Sequence, residues 1–181
     1  MFVAVEPPPE VVDEIDAFLE PRRAVGDLRW SDPAAWHITL AFFAAVPDRD
    51  YEELVEALAE AVARTEGFPL RCRGAGAFPD PVGSRALWLG VEDPTGRLAQ
   101  LAARTRTAGH RSGVPADGTA FRAHLTVARG RPQHRGHLVQ ALDTFEGSDW
   151  QVEAVDLVES HLGEGPRRSP RYERRETFAL A

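Results

Sequence analysis

The chain has 181 residues, of which 43% are hydrophobic and 27% are charged, and its formal net charge is −7. This composition is typical of a globular protein and excludes a disordered chain, and the longest apolar stretch, Ile38–Val46, is far shorter than the ~20 residues of a membrane-spanning helix. No basic segment precedes an apolar one at the N-terminus, as a signal peptide requires, so we expect a cytoplasmic protein.

Apolar residues recur with the spacing of a helix in some segments and of a strand in others, and the two kinds of segment are mixed along the whole sequence. This pattern predicts one α+β domain spanning residues 1–181. The clearest helix is Asp50–Arg64, where one face is apolar and the other is rich in glutamate. Polar residues at Gly109–Gly118 and Gly163–Pro170 predict loops within the domain. The other predicted elements, in chain order, are strand Phe2–Val5, a helix over Val11–Leu19, strands Trp36–Phe43, Phe68–Arg73 and Ala86–Val91, helix Gly96–Ala108, strand His124–Arg129, helix Gly136–Leu142, and strands Trp150–Ser160 and Arg171–Leu180.

Several residue types that catalysis often uses are missing. All 21 basic residues are arginine, which excludes Schiff-base, P-loop and lysyl-nucleotide mechanisms. The single cysteine, Cys72, excludes an intramolecular disulfide and a multi-cysteine zinc site. The negative net charge argues against a protein that tracks along nucleic acid, but it permits a small basic pocket. Any catalysis must therefore use histidine, arginine, carboxylate or hydroxyl groups.

One short pattern, His-apolar-Thr-apolar-Ala, occurs twice, each time in a sequence with strand propensity. Side chains alternate between the faces of a strand, so each copy presents an imidazole and a hydroxyl together on one face and apolar residues on the other. A single copy is most simply a hydrogen-bonded histidine beside a good strand former, but packing does not require two copies. We therefore interpret both as functional. The pairs are His37 with Thr39 and His124 with Thr126.

Two histidines that face each other can act as an acid and a base, because an unperturbed imidazole has a pKa of about 6.5. One deprotonates a nucleophile while the other protonates a leaving oxygen, and threonine hydroxyls can donate hydrogen bonds to oxygens that gain charge. Arg129 would suit a phosphate, but strict alternation turns it away from His124 unless the strand ends or bulges near Gly130. The pattern is well matched to displacement at a phosphodiester and needs no metal.

The aromatic residues carry weaker signals. Alternation places Phe42 on the buried face of the first motif strand, so Phe43 is the candidate for stacking on a nucleobase, the alternative being that both are core. Among the C-terminal residues, we expect Tyr172 and Arg171 to approach a substrate most closely.

The remaining histidines do not form an evident site. His134 and His137 lie three residues apart in a loop rich in glycine, arginine and proline. They are half of a metal site or, more simply, a solvated loop, since no third ligand is apparent. His161 is a weak candidate for the rim of a cleft. We therefore expect no metal and no cofactor.

The paired motifs resemble those of the two-histidine phosphoesterases, and within them the bacterial and archaeal RNA 2′,3′-cyclic phosphodiesterases, also called 2′-5′ RNA ligase-like proteins. The motifs are 87 residues apart (from 37 to 124), and the resemblance extends over nearly the whole chain. It implies a bilobal α+β fold with a pseudo-twofold axis, two antiparallel sheets facing a central cleft, and helices on the outside. The similar segments are Met1–Pro8, His37–Phe43, Ser84–Gly90, Phe121–Arg129 and Val155–Leu180.

The same resemblance implies hydrolysis of terminal 2′,3′-cyclic phosphates of RNA or nucleotides to 2′-phosphomonoesters and, for some relatives, reversible 2′-5′ RNA ligation. It implies that His37 donates a proton to the leaving 3′-oxygen and that His124 accepts one from water, whereas the residues alone do not distinguish the two roles. Thr39, Thr126 and Arg129 match the family's phosphate-holding positions.

The chain departs from many relatives just before the second motif, where Arg122-Ala123 replaces a polar residue and a proline. Arg122 shares the face of His124 by alternation and is a candidate for a second phosphate contact. The alternative to an enzyme is a non-catalytic module that binds nucleotides or RNA ends in the same cleft. Intact histidines in both motifs favour the enzyme, which we expect to be a monomer acting on RNA without contacting a membrane.

Overall fold

The computed structural model describes residues 1–24, 27–118, 120–165 and 170–181. It confirms the α+β class, and short 3₁₀ turns at Glu20–Arg22 and Pro33–Ala35 flank the second strand. The elements are β1 (Phe2–Val5), α1 (Pro9–Leu19), β2 (Leu28–Trp30), β3 (Ile38–Phe42), α2 (Asp48–Val62), β4 (Phe68–Phe78), β5 (Ser84–Glu92), α3 (Arg97–Arg111), β6 (His124–Gln133), α4 (Gly136–Leu142), β7 (Glu146–Val152), β8 (Ala154–His161) and β9 (Arg171–Ala179).

The strands form two antiparallel sheets, as the resemblance implies. Sheet A has the order β3-β1-β8-β9, and sheet B has the order β2-β6-β5-β4-β7. Helices α2 and α3 pack against sheet A, and α1 and α4 pack against sheet B. Strands β3 and β6 contact each other where the sheets meet, so each sheet brings one histidine motif to the central cleft.

The helices form because their apolar residues fall on one face. In α2, Leu54, Leu58 and Val62 are fully buried, and aspartates in the first turn stabilise the N-terminal end of the helix dipole. Most buried residues of both sheets belong to one continuous hydrophobic cluster, and Phe2, Ala4 and Val158 of sheet A form a second, small one. The continuous cluster lies between the sheets and their helices, so the opposite sheet faces remain for the cleft. None of the described helices has the length and apolar character needed to cross a membrane.

The predicted strand Trp150–Ser160 is in fact two strands in different sheets. β7 pairs with β4 in sheet B, whereas β8 pairs with β1 and β9 in sheet A. The chain crosses between the sheets at Glu153, which belongs to neither strand. The short strand β2 was not predicted, and the predicted loop Gly163–Pro170 lies partly outside the described residues. A continuous β-prone run thus gives no sign of which sheet each part joins.

Candidate active site

The first histidine motif lies at the beginning of β3, with its polar side chains turned toward the cleft. Ile38 and Leu40 are buried in the core, whereas His37 and Thr39 are half-buried, as alternation predicts. Nδ1 of His37 lies 2.8 Å from the carbonyl oxygen of Ala35, at the end of a 3₁₀ turn. A carbonyl only accepts, so Nδ1 carries the proton and donates the hydrogen bond. Nε2 is thereby left for a substrate.

The second motif, at the beginning of β6, repeats this arrangement. Leu125 and Val127 are fully buried, whereas His124 and Thr126 are half-buried. Nδ1 of His124 donates a hydrogen bond of 2.6 Å to the carbonyl oxygen of Arg122, again two residues earlier in the chain. The same backbone device therefore directs Nε2 of both histidines away from the chain that carries them.

A β-bulge at Leu40 changes which phenylalanine faces the cleft. Thr39 and Ala41 pair with consecutive residues of β1, so Leu40 is an extra residue in β3. The bulge reverses the alternation beyond it, so Ala41 is buried, Phe42 is 43% exposed and Phe43 is fully buried. The prediction that Phe43 stacks on a nucleobase is therefore wrong, because strict alternation does not continue across a bulge. Phe42 takes its place on the histidine face.

An equivalent bulge at Val127 brings Arg129 to the cleft. The residues on either side of Val127 pair with consecutive residues of β5. The alternation is again reversed, so Ala128 is buried and the exposed Arg129 returns to the face that carries His124. The sequence required a strand end or a bulge for this placement. The structure has the bulge, and it precedes Arg129 instead of lying at Gly130.

Arg129 supplies positive charge to groups from both sheets. Burial lowers the pKa of His37 and of His124, and the charge of Arg129 lowers both further. The charge of His124 also lowers the pKa of His37, so the two imidazoles sense each other across the cleft. At Tyr172, burial raises the pKa of the phenol and the charge of Arg129 opposes that rise. One arginine is therefore close to all three groups.

Two aromatic rings hold His37. The ring of Phe2 stacks on the imidazole, with centroids 4.6 Å apart and planes 24° apart, and Tyr172 meets its edge at 5.3 Å. Tyr172 thus lies beside His37, and its contact with a substrate stays a prediction. The sequence reading did not identify Phe2, because the whole of β1 is apolar and nothing separates its cleft face from its core face.

The ring of His124 has different neighbours. Phe78 of β4 and Trp88 of β5 both contact it. Their ring centroids lie 4.9 Å and 6.1 Å from that of the imidazole, and both contacts are edge contacts. The guanidinium carbon of Arg122 lies 4.4 Å from the centroid of Trp88. After burial and Arg129, the charge of Arg122 is a further cause of the low pKa of His124. Arg122 therefore lies beside His124, on the side that alternation predicted.

The other candidate residues lie outside this group. Arg171 forms ion pairs with Glu164 at 3.0 Å and with Glu173 at 3.2 Å, so its charge is neutralised by these carboxylates. His161 lies 3.2 Å from the same Glu173 carboxylate. Burial raises the pKa of Cys72 to about 12, which keeps that thiol protonated in the core.

His134 and His137 are both exposed, but only His134 lies in a loop, because His137 belongs to the first turn of α4. In the described parts of the chain, no group of three or more His, Cys, Asp or Glu side chains is placed to hold a metal ion. Residues from both sheets do converge on one cleft, however: two imidazoles, two threonine hydroxyls and a guanidinium. This arrangement can bind an oxyanion and can move protons on either side of it.

Comparison with known proteins identifies the family of the chain. Residues 7–164 match the model of the 2′-5′ RNA ligase superfamily. The chain is 31% identical over 129 residues to the RNA 2′,3′-cyclic phosphodiesterase of Archaeoglobus fulgidus, covering 71% of both chains. It is 27% identical over 138 residues to the protein of that name from Aquifex aeolicus, covering 74% of this chain and 73% of the relative.

Solved structures give the same result for the fold. The crystal structure of Escherichia coli LigT in its apo form superposes with a TM-score of 0.78 at 25% identity, covering 99% of this chain and 95% of LigT. LigT complexed with 3′-AMP superposes with a TM-score of 0.77 at 25% identity. The match of the family model over most of the sequence, with this fold and two histidine motifs in one cleft, establishes that the chain belongs to the 2′-5′ RNA ligase superfamily.

Proposed function

We propose that this protein hydrolyses the 2′,3′-cyclic phosphate at the end of an RNA, or of a nucleotide, to a 2′-phosphomonoester. The observation that carries the proposal is the placement of His37 and His124. They come from different sheets and lie in one cleft, each with Nδ1 held by a backbone carbonyl and Nε2 available to a substrate. The names of the relatives from Archaeoglobus fulgidus and Aquifex aeolicus support this choice of substrate.

The reaction needs one proton transfer on each side of the phosphorus. His124 accepts a proton from water as the water oxygen bonds to phosphorus, and His37 donates a proton to the 3′-oxygen as the P–O3′ bond breaks. The phosphate stays on the 2′-oxygen, and the 3′-oxygen becomes a hydroxyl. The next turnover requires the proton to return from His124 to His37 through solvent. The assignment of donor and acceptor follows the family resemblance.

The phosphate oxygens are held by Thr39, Thr126 and Arg129. The hydroxyls donate hydrogen bonds from opposite sheets, and the guanidinium supplies the fixed charge that suits a phosphate. Low pKa values leave both imidazoles unprotonated at neutral pH before the substrate binds. A bound anion favours the protonated form of the nearby histidines, so substrate binding itself helps to charge the acid.

The sheet A side of the cleft offers exposed aromatic side chains on which the nucleoside can stack. Phe42 is exposed on the histidine face, and Tyr172 is 38% exposed beside His37. Aromatic rings stack on bases with little dependence on sequence. We therefore assign base stacking to Phe42, with Tyr172 as a second contact.

The same proton transfers account for 2′-5′ ligation. There, the 5′-hydroxyl of a second RNA replaces water, its proton passes to His124, and its oxygen bonds to phosphorus as the P–O3′ bond breaks. The strained cyclic phosphate is the activated group, so this reaction uses neither a lysine nor a nucleotide cofactor.

The proposal is tested by incubating the protein with a 2′,3′-cyclic mononucleotide in EDTA and identifying the product. We expect the 2′-monophosphate to form at the rate seen without the chelator, because no step of the mechanism uses a metal. The 3′-monophosphate as product would contradict the assigned leaving oxygen, and loss of turnover in EDTA would indicate a metallophosphoesterase. Binding without turnover of any cyclic end would support the non-catalytic module instead.

A further inference from the structure

A second arginine lies beside the site, stacked on a tryptophan. The guanidinium carbon of Arg122 is 4.4 Å from the centroid of Trp88 and 5.8 Å from that of Phe78, and both rings also contact His124. We call this group the Arg122–Trp88 stack. A cation on the face of an indole is held by electrostatic attraction and by contact area. The long arginine side chain is thus placed before any substrate arrives.

The position of the indole depends on a glycine in the neighbouring strand. Gly76 of β4 pairs with Trp88, and a Cβ at Gly76 would lie 2.1 Å from Cζ2 of the indole. No other residue type leaves room for the ring in this place. Trp88 is only 5% exposed, so it forms a fixed base on which Arg122 rests.

No carboxylate in the described part of the chain neutralises the charge of Arg122. Within the described residues, its exposed guanidinium forms no ion pair with a carboxylate. On the sheet A side of the cleft, by contrast, Arg174 is bound to Glu6 at 2.5 Å and to Asp156 at 3.2 Å. The N–H donors of Arg122 are therefore available to an anion in solution.

Arg122 contacts Trp88 and Phe78, the rings that flank His124, whereas His37 is flanked by Phe2 and Tyr172. The charge of Arg129 acts on both histidines, whereas that of Arg122 acts on His124 and is not among the causes of the low pKa of His37. Thr39, Thr126 and Arg129 share the strand faces of the histidines and are assigned to the reacting phosphate. A second, exposed cation beside His124 can therefore meet another anionic group of the substrate. In an RNA, that group is the neighbouring phosphodiester.

We propose that Arg122, held on Trp88, binds the phosphodiester that joins the cyclic-phosphate nucleotide to the preceding one, so that the protein prefers RNA ends to cyclic mononucleotides. The inference rests on the proposed function and specifies its substrate class. It also refines the expectation of a second phosphate contact, because that contact is made to a different phosphate from the one that reacts.

The test compares two substrates, an RNA oligonucleotide with a 2′,3′-cyclic end and the corresponding cyclic mononucleotide. We expect the wild-type protein to favour the oligonucleotide in kcat/KM, and Arg122→Gln to reduce this preference about tenfold, as expected for the loss of a hydrogen bond to a charged group. Any change in the pKa of His124 affects both substrates alike and cancels in the ratio. The salt dependence of kcat/KM for the oligonucleotide should also become shallower, by about 0.7 in the logarithmic slope.

Two further variants separate the specific contact from general charge. Arg85→Gln removes the same charge from an exposed position of β5, three residues from Trp88 and so on the other face of the strand, and should leave the preference intact. Arg122→Lys keeps the charge without the planar stack, so it should retain the salt slope and lose part of the preference.

Two results would overturn the inference: a preference that Arg122→Gln does not change, or one that Arg85→Gln reduces equally. If the wild-type protein turned over neither substrate, the proposed function itself would fail, and the inference with it.

Discussion

The two histidines are set into their sheets by the same local structure but have different surroundings. Each donates from Nδ1 to the carbonyl two residues earlier, at 2.8 Å for His37 and 2.6 Å for His124, and each precedes a β-bulge. His37 is covered by the face of Phe2, whereas His124 meets only ring edges and has Arg122 as a neighbour. The repeated backbone therefore fixes where the imidazoles point, and side chains from distant strands make them unequal.

The second residue after each bulge extends this difference. In sheet A that residue is Phe42, which offers an aromatic surface, and in sheet B it is Arg129, which offers a charge. A repeated scaffold can thus present different groups at equivalent positions of its two halves. One half of the cleft is suited to a base and the other to a phosphate.

The largest expected effect comes from removing either histidine. His37→Ala and His124→Ala should each lower kcat about 100- to 10,000-fold toward a cyclic mononucleotide, because each removes one proton transfer. His137→Ala is the matched control, since His137 is exposed and lies outside the cleft. A histidine whose removal lowered kcat less than tenfold would not act as an acid or a base, and the two-histidine mechanism would be wrong.

Arg129→Gln should have the next largest effect, because the charge of Arg129 acts on both His37 and His124. Loss of a hydrogen bond to a charged phosphate predicts a fall in kcat/KM of about 10- to 100-fold. The pKa values of both histidines should also rise, since a neighbouring positive charge is gone. Arg131→Gln, at an exposed position of the same strand, provides the control. A rise at only one histidine would place Arg129 on one side of the cleft.

The two phenylalanines after the first motif should respond in opposite ways. Phe42→Ala should raise KM about fivefold or more through lost base stacking, with little change in thermal stability. Phe43→Ala should lower the free energy of unfolding by about 3–5 kcal/mol, because Phe43 is fully buried. Michaelis kinetics and denaturant titrations of both variants measure these effects. The reverse pattern would mean that β3 has no bulge at Leu40.

The pH dependence should show the smallest effect. Burial lowers the pKa of both histidines from the ordinary value of 6.5, so the form with one imidazole charged and one neutral is populated in the free enzyme below that pH. We expect a bell-shaped profile of kcat/KM with its maximum below pH 6.5, and a kcat profile displaced to higher pH because bound phosphate favours the charged imidazoles. A kcat/KM that kept rising above pH 7 would contradict these shifts.

Phe2→Leu makes the pH measurement sharper, because it changes the cover of one histidine only. A smaller side chain opens His37 to water, so the pKa of His37 should rise while that of His124 stays the same. One limb of the kcat/KM profile should then move to higher pH. Movement of both limbs would mean that Phe2 acts through the whole cleft.

The sequence allowed prediction of those parts of the site that depend on local order. The period of two in each motif places His37 with Thr39 and His124 with Thr126, and the structure agrees. The bulges could not be predicted, because a bulge depends on register with a neighbouring strand that is distant in the chain. This is why the sequence predicts Phe43 at the cleft, whereas the structure buries Phe43 and exposes Phe42.

Contacts between strands that are distant in the chain could not be predicted from the sequence either. Phe2, Phe78 and Trp88 reach the histidines from β1, β4 and β5, and in each strand the apolar composition looks the same for a core residue as for a cleft residue. The fold class was predictable because helical and strand periods are local properties. The assignment of β7 and β8 to separate sheets was not, because strand propensity carries no information on the partner strand.

The most direct test of the central claim is a pH titration of the histidine ring nitrogens by NMR, with and without 2′-AMP, the expected product. We expect the pKa values of His37 and His124 both to rise when the product binds, because one phosphate lies between them. If only one of the two responded, the imidazoles would not share a phosphate, and the mechanism proposed here would be contradicted.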